Sequence, residues 1–422
     1  MRRGASLSDD PAVVSVLTGS LGLAEGLLAI VRPALHKMVE GGVLAVLTSA
    51  PSLDQDLPSW CRAERHDYLG RRLLPDGTVA HRIARGRYGV AERAPRTRVP
   101  LPVRDGRVLA ADVLAAAPFP QSADAGTGFA PRGALVEPGG PVYPFSIVER
   151  DRAAPPEVGR LYDQAVASVW DATRDIPWAS IRPLPDELEH AVGQVMTFLA
   201  ENELSALYVP ARMLPRIHPA YAETAMLIAA QLADEARHID VFLKRARVAG
   251  GSLGVSTAIT SRSLLSLLEL DDFTEVSFLL SVLGEGTFID LLRFVETHAP
   301  DEATALLASK ARADEVRHVH FGLAHVRHAL TTDPATAARL EAAVRRRSAR
   351  MGDVAGVPAP LQDALTVLAA KGTHPRDVAR GHEAFRELLH EMAESREKRL
   401  VHAGFTPEQA RTLSDLHTPN FM

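Results

Sequence analysis

From Pro156 onward, apolar residues recur three and four positions apart with little interruption, the spacing that gathers side chains on one face of an α-helix. Breaks at Gly250-Gly251, His298-Ala299-Pro300, Thr332-Asp333-Pro334, Val357-Pro358-Ala359-Pro360 and His374-Pro375 divide this stretch. They predict helices near 157–172, 185–213, 219–248, 258–269, 273–298, 301–330, 334–350, 361–371, 376–402 and 407–416, with no competing strand pattern. The first 88 residues alternate instead. Helical spacing over 23–41 ends at Gly41-Gly42, a β-branched run follows at 42–50, and a second helix is predicted at 53–66. Residues 67–87 read as two strands joined by Pro75-Asp76-Gly77, with a further strand near Val13–Thr18. Residues 89–155 are rich in Pro, Gly and Ala and predict a connecting segment with at most short strands. The expected organisation is a small α+β domain (1–88), a linker (89–155), a helical bundle (156–345) and a C-terminal helical extension (346–422), in a mainly α protein.

Composition narrows the picture. A chain of 422 residues with 46% hydrophobic content has enough material for a sizeable core. Net charge is −5, from 47 basic and 52 acidic residues, so nothing global points to nucleic acid or a membrane surface. Cys61 is the single cysteine, which excludes an internal disulfide and fits a reducing compartment. Acidic residues interrupt the apolar stretch at 11–31, and no run reaches the ~18 clean apolar residues of a membrane span. A cytoplasmic location is the default expectation.

The candidate chemistry lies inside the helical pattern. Residues 233–238 read ADEARH, and eighty residues on, 313–318 read ADEVRH. Positions three apart share a helix face, so Glu235 with His238 and Glu315 with His318 each offer a carboxylate and an imidazole in one direction. That donor mixture suits iron or manganese. Carboxylate four-helix bundles complete such a site with one Glu from each of two further helices. Glu285 stands between Gly284 and Gly286 in an otherwise apolar helix, where the glycines leave room beside the backbone. Ahead of the first motif, Glu201 and Glu203 are two apart and point to different faces; Glu203 has Leu199, Ala200, Ala206 and Leu207 around it and is the choice. Asp234 and Asp314 are placed to accept the second ring N–H of a ligating histidine, and Arg237 and Arg317 to balance the acids. His320, His325 and His328 are expected on outer faces, and Trp170 and Trp178 in the core.

DEARH (234–238), DEVRH (314–318) and the Glu203-Leu-Ser-Ala run resemble the ferritin-like di-iron carboxylate proteins, in the oxygenase branch that carries Asp-Glu-x-Arg-His twice. Over about residues 157–330 the resemblance implies six ligands, Glu203, Glu235, His238, Glu285, Glu315 and His318, with Glu235 and Glu315 bridging. It implies two iron ions, or a manganese–iron pair, with O₂ as co-substrate. Three departures separate the chain from better-defined members. Phe242 replaces the radical tyrosine of ribonucleotide reductase small subunits, Ile289 the threonine of the methane and toluene monooxygenases, and Ala311 the extra histidine of the p-aminobenzoate N-oxygenases. Residues 26–70 are similar to the TusA-like sulfur-carrier domains, but Leu23-Ala24-Glu25-Gly26 stands where that family has its cysteine.

The expected function is a non-haem di-iron oxygenase that hydroxylates, N-oxygenates or desaturates a small organic substrate. It would use an external electron donor, with neither nucleic acid nor membrane as partner and a homodimer allowed. The alternatives are a ferroxidase or iron-handling protein, and a non-catalytic interaction protein with a structural metal.

Overall fold

Two local signals build the N-terminal sheet: β-branched runs and one tight turn. In the computed structural model, which describes residues 14–86, 100–134, 136, 140–352 and 356–417, these give β1 (Val14–Gly19), α1 (Leu28–His36), β2 (Val43–Thr48), α2 (Leu53–Ala63), β3 (Asp67–Leu73) and β4 (Val79–Ala84). The strand order is β1-β2-β4-β3. β1 and β2 are parallel and joined through α1, and the other pairs are antiparallel. In the β3–β4 turn Gly77 adopts a φ of 84°, and Asp76 Oδ1 accepts the Thr78 N–H at 3.0 Å. Leu27, Val31, Leu44, Val46, Leu53, Leu57, Trp60, Cys61 and Ile83 form the core between helices and sheet. The first helix begins later than expected. Leu23–Glu25 is a 3₁₀ turn in which Glu25 accepts the Gly22 N–H at 2.9 Å, and Gly26, at a φ of 95°, breaks it from α1.

The chain separates into two compact units, Met1–Pro100 with Gly126–Val142, and Leu101–Ala125 with Tyr143–Met422. The second unit is helical. Its first helices are short: α3 (Ala110–Ala115), α4 (Arg150–Ala153) and α5 (Val158–Ala167). The long ones follow as α6 (Asp186–Ala211), α7 (Ala222–Val248), α8 (Ala258–Leu268), α9 (Phe273–Val276), a π-helical segment (Ser277–Glu285), α10 (Gly286–His298) and α11 (Glu302–Thr332). Four more, α12 (Thr336–Met351), α13 (Ala359–Ala370), α14 (Pro375–Ala403) and α15 (Pro407–Leu416), complete it. The fold is a helical bundle with extra C-terminal helices, preceded in the chain by a small α+β unit. Among the described residues no helix is long and apolar enough to cross a membrane.

Three details differ from the sequence reading, the first being that the 89–155 segment, expected to hold at most short strands, carries the short helices α3 and α4. α5 stops at Ala167, five residues short of the expected end. Beyond it, Asp171 Oδ1 accepts the N–H groups of Thr173 (2.8 Å) and Arg174 (3.1 Å), a local side-chain bond that competes with continued helix. The expected helix 273–298 is continuous but widens to π geometry over Ser277–Glu285. Its widened turns need space, and Gly322 on α11 provides it: a Cβ there would lie 2.6 Å from Ser281 Cβ.

α6 packs along α7, and α10 along α11. Two apolar clusters fill the bundle at successive levels. One takes α6 up to Ala200, α7 from Val241, α10 from Phe288 and α11 up to Ala311. The other takes α6 from Ala206, α7 up to Ile228, the π segment up to Leu283 and α11 from Phe321. The interval between them is the level of the acidic residues.

A buried ionic strut ties three of these helices together. Arg245 on α7, fully buried, donates to Glu189 of α6 (2.8 Å), to Asp301 at the start of α11 (2.9 Å) and to Thr304 (2.6 Å). Arg245→Met leaves two largely buried carboxylates without a counter-charge. Denaturant unfolding is expected to show a loss of about 3–5 kcal/mol. A loss below about 1 kcal/mol would mean the acids relax into water.

Candidate metal centre

Each polar residue of the cluster sits where helical spacing turns it inward. Glu203 projects from α6, Glu235 and His238 from α7, Glu285 from the end of the π segment, and Glu315 and His318 from α11. All six are buried. Ligand-type atoms of Glu203, Glu235, His238 and Glu315 lie within 4.8 Å of one another, as do those of Glu235, Glu285, Glu315 and His318. The two groups share Glu235 and Glu315. His238 Nδ1 is 3.2 Å from Glu235 Oε2 and 3.3 Å from Glu315 Oε1. His318 Nδ1 is 3.0 Å from Glu235 Oε1 and 3.4 Å from Glu315 Oε2. Each shared glutamate therefore turns one oxygen toward each half of the cluster. Glu201 is outside it, half-buried, and accepts the Ser256 hydroxyl at 2.7 Å.

The acids and arginines of the two motifs cross between helices. His238 Nε2 on α7 lies 3.2 Å from Asp314 Oδ2 on α11, and His318 Nε2 on α11 lies 3.1 Å from Asp234 Oδ2 on α7. Arg317 donates to Asp314 (2.6 Å) and Asp234 (3.1 Å). Arg237 donates to Asp234 and reaches Asp314 at 3.6 Å. Donation from Nε2 fixes each ring's tautomer and leaves the Nδ1 lone pair facing the cluster.

Trp170 joins this array from the segment after α5. Its indole N–H donates to Asp314 Oδ2 at 2.7 Å, and its ring stacks on His238 at 6.4 Å between centroids. The early end of α5 makes this possible, and no sequence period signals it. His325 corrects another expectation. It is buried, with Nε2 3.1 Å from Thr274 Oγ1 and its ring edge-on to Phe273. Seven residues from His318 is two helical turns, so it shares the inner face. Burial lowers its pKa to about 4 and keeps it neutral. His320 is exposed, and His328 is half-buried beside Asp151 at 3.4 Å.

Eight ligand-type atoms of the cluster make no hydrogen bond: Glu203 Oε1, both oxygens of Glu235 and of Glu315, Glu285 Oε2, and Nδ1 of both histidines. Buried polar atoms without partners are costly, so a whole inward-facing set of them marks a place for a cation. Charge agrees. Asp234 and Asp314 are matched by Arg237 and Arg317, which leaves four glutamates, the charge that two divalent ions balance. Protons take up part of that role otherwise. Burial, then the neighbouring Glu235, raises Glu203, and burial with Glu315 raises Glu285. Burial opposes charge on both imidazoles, but Glu203 beside His238, and Glu235 with Glu315 beside His318, raise them well above their usual range. Burial also acts on Glu235, and the imidazolium of His318 outweighs it and holds that carboxyl low. The donor set of four carboxylates and two imidazoles fits a pair of iron or manganese ions.

A buried cluster with a Glu from each of two helices and a Glu-x-x-His from each of two others is the side-chain plan of the ferritin-like carboxylate bundles. No protein-family model matches the chain, and no curated protein matches its sequence. Among solved structures it is similar to an R2-like ligand-binding oxidase with an aerobically reconstituted metal cofactor after photoconversion. That pair shares 16% identity at a TM-score of 0.45, over 58% of this chain and 92% of the other. It is also similar to an R2-like ligand-binding oxidase with an aerobically reconstituted Mn/Fe cofactor after a long soak, at 16% identity and a TM-score of 0.40, over 62% and 93% of the two chains.

Loss of either crossed aspartate frees a histidine to turn and removes its hydrogen-bond acceptor. Asp234→Ala and Asp314→Ala are each expected to weaken binding of a divalent transition metal about 10- to 100-fold. Chelator-competition titration measures this, and an unchanged affinity in both variants would remove the orienting role.

Proposed function

We propose that the chain is a non-haem di-iron oxygenase acting on a small organic substrate. The observation that carries this reading is the set of eight buried atoms of ligand type without hydrogen-bond partners, on four carboxylates and two imidazoles whose uncompensated charge equals that of two divalent ions. Glu203 with His238 would hold one ion, Glu285 with His318 the other, and Glu235 and Glu315 both. When bound, an iron pair or a manganese–iron pair supplies the redox chemistry with O₂. The chain's own residues supply the setting. Asp314 and Asp234 hold the imidazoles with Nδ1 inward, and Arg237 and Arg317 pair with both aspartates. The apolar levels above and below keep water from the cluster. Phe242, its ring tilted against that of His238 at 6.3 Å between centroids, puts no oxidisable phenol at that place, which favours an external substrate over a stored radical. An external reductant is part of the proposal, as is a cytoplasmic setting.

Metal analysis of the purified chain tests the reading. Two ions per chain are expected, with Glu235→Ala and Glu315→Ala each losing most of the metal because each removes a ligand common to both positions. Two ions retained in both variants would overturn the site. The reduced protein is expected to consume O₂ without taking up iron beyond two per chain; growth of a mineral core would make it an iron store instead.

The N-terminal unit is proposed to be TusA-like in architecture without sulfur chemistry. A persulfide carrier needs an exposed thiolate. Cys61 is fully buried within α2, and burial, with Asp67 beside it, pushes its thiol up to about 12. A maleimide at pH 8 is expected to leave native Cys61 unmodified and to label it fully after unfolding. A stable persulfide formed on the native protein by a cysteine desulfurase would reverse this reading.

A further inference from the structure

Beyond Trp170, the two halves of the cluster differ in a contact to one of their glutamates. Gln231 lies on α7 one turn before Glu235 and is buried. Its amide Nε2 donates to Glu285 Oε1 at 3.2 Å, which leaves Oε2 as the oxygen without a hydrogen bond. The matching position on α11, one turn before Glu315, is Ala311, buried and without any polar group. Glu203, the counterpart of Glu285, receives no side-chain amide among the described residues; His238 Nδ1 lies 3.4 Å from its Oε1.

We infer that Gln231 is a positioning residue that makes the two metal positions unequal. The inference rests on the di-iron reading above. A glutamate side chain carries considerable rotamer freedom, and binding a cation through it costs the ordering of those torsions. An amide bonded to one carboxylate oxygen settles the rotamer beforehand and withdraws that oxygen from competition. Glu285 then offers one oxygen in a fixed direction. Glu203, with no such clamp, keeps both oxygens available and its rotamers open. The position of Glu285 and His318 is the ordered, tighter one; the position of Glu203 and His238 is the one whose ligands can rearrange. The doubled motif hides this difference, because Gln231 and Ala311 lie outside the repeated six residues.

Stepwise titration of the metal-free, full-length protein with Co²⁺ under anaerobic conditions, followed by visible absorption, tests the inference. The wild type is expected to bind two ions in two distinguishable steps. Gln231→Leu, and Gln231→Glu, which keeps the length but replaces a donor with an acceptor, are expected to weaken the tighter step about 10- to 100-fold and to move the other by less than about 3-fold. Both also change the visible bands of the first ion bound, an effect that a merely structural role would not produce. Thermal unfolding of the metal-free variants identifies any loss of fold, and if the leucine variant fails to fold the isosteric glutamate variant is read alone. A wild type that binds fewer than two ions overturns the di-iron reading and this inference with it. A wild type that binds two ions in indistinguishable steps, or variants in which neither step or both steps weaken equally, overturn the role of Gln231 and leave the di-iron reading standing.

Discussion

Four glutamates buried together inside a helical bundle cannot remain as they are. In a medium of low dielectric each bare carboxylate is destabilised, and four within a few ångströms more so. Something positive must enter, as protons or as metal ions. The rest of the helical unit follows from that constraint. The arginine of each motif is spent on the two aspartates, so it does not neutralise the glutamates. The levels on either side are lined by apolar side chains. The imidazoles are held by their outer nitrogens, so that the inner ones face the cluster. Without cations, burial and the neighbouring carboxylates push Glu203 and Glu285 toward protonation.

Much of this was legible in the sequence because it depends on local spacing. Three residues on a helix define a direction, so Glu235, His238, Glu315 and His318 could be assigned to faces, and Glu203 separated from Glu201, without knowing how the helices pack. The helix boundaries were readable for the same reason, since Gly and Pro punctuate them. What spacing does not carry is which helix a side chain meets. The crossing of Asp234 to His318 and of Asp314 to His238 joins residues more than seventy positions apart, and neither motif alone states it. Gln231 sits one turn from a ligand and looked like one more polar residue on a helix.

Other features escaped because tertiary contact overrides local pattern. The π segment reads as an ordinary apolar helix; its wider turns depend on Gly322 of α11, forty residues away, letting the two backbones approach. That approach delivers Glu285 at the level of the cluster. Gly286, next to it, keeps space that the guanidinium of Arg399 from α14 fills, since a Cβ there would lie 2.5 Å from Nε. The C-terminal helices therefore reach the wall of the site, although nothing in their sequence names them as part of it. His325 was misjudged for a simpler reason, because two turns from a buried histidine is again the buried face.

The crossed pairing has a consequence for how such a chain arises. A half-length polypeptide with one lone glutamate and one Glu-x-x-His helix would present a histidine with no carboxylate on its outer nitrogen and an aspartate bonded only to the arginine of its own helix. Only a second identical copy, packed about a twofold axis, would satisfy both at once. Such a unit is complete only as a pair, and joining two copies end to end in one gene preserves every contact while removing the requirement that they stay identical. Trp170, present on one side of the cluster, and the Gln231–Ala311 difference are departures that a symmetric dimer could not make one at a time. In the single chain the two crossed pairs are held by one covalent backbone, so each side of the cluster can change without the other.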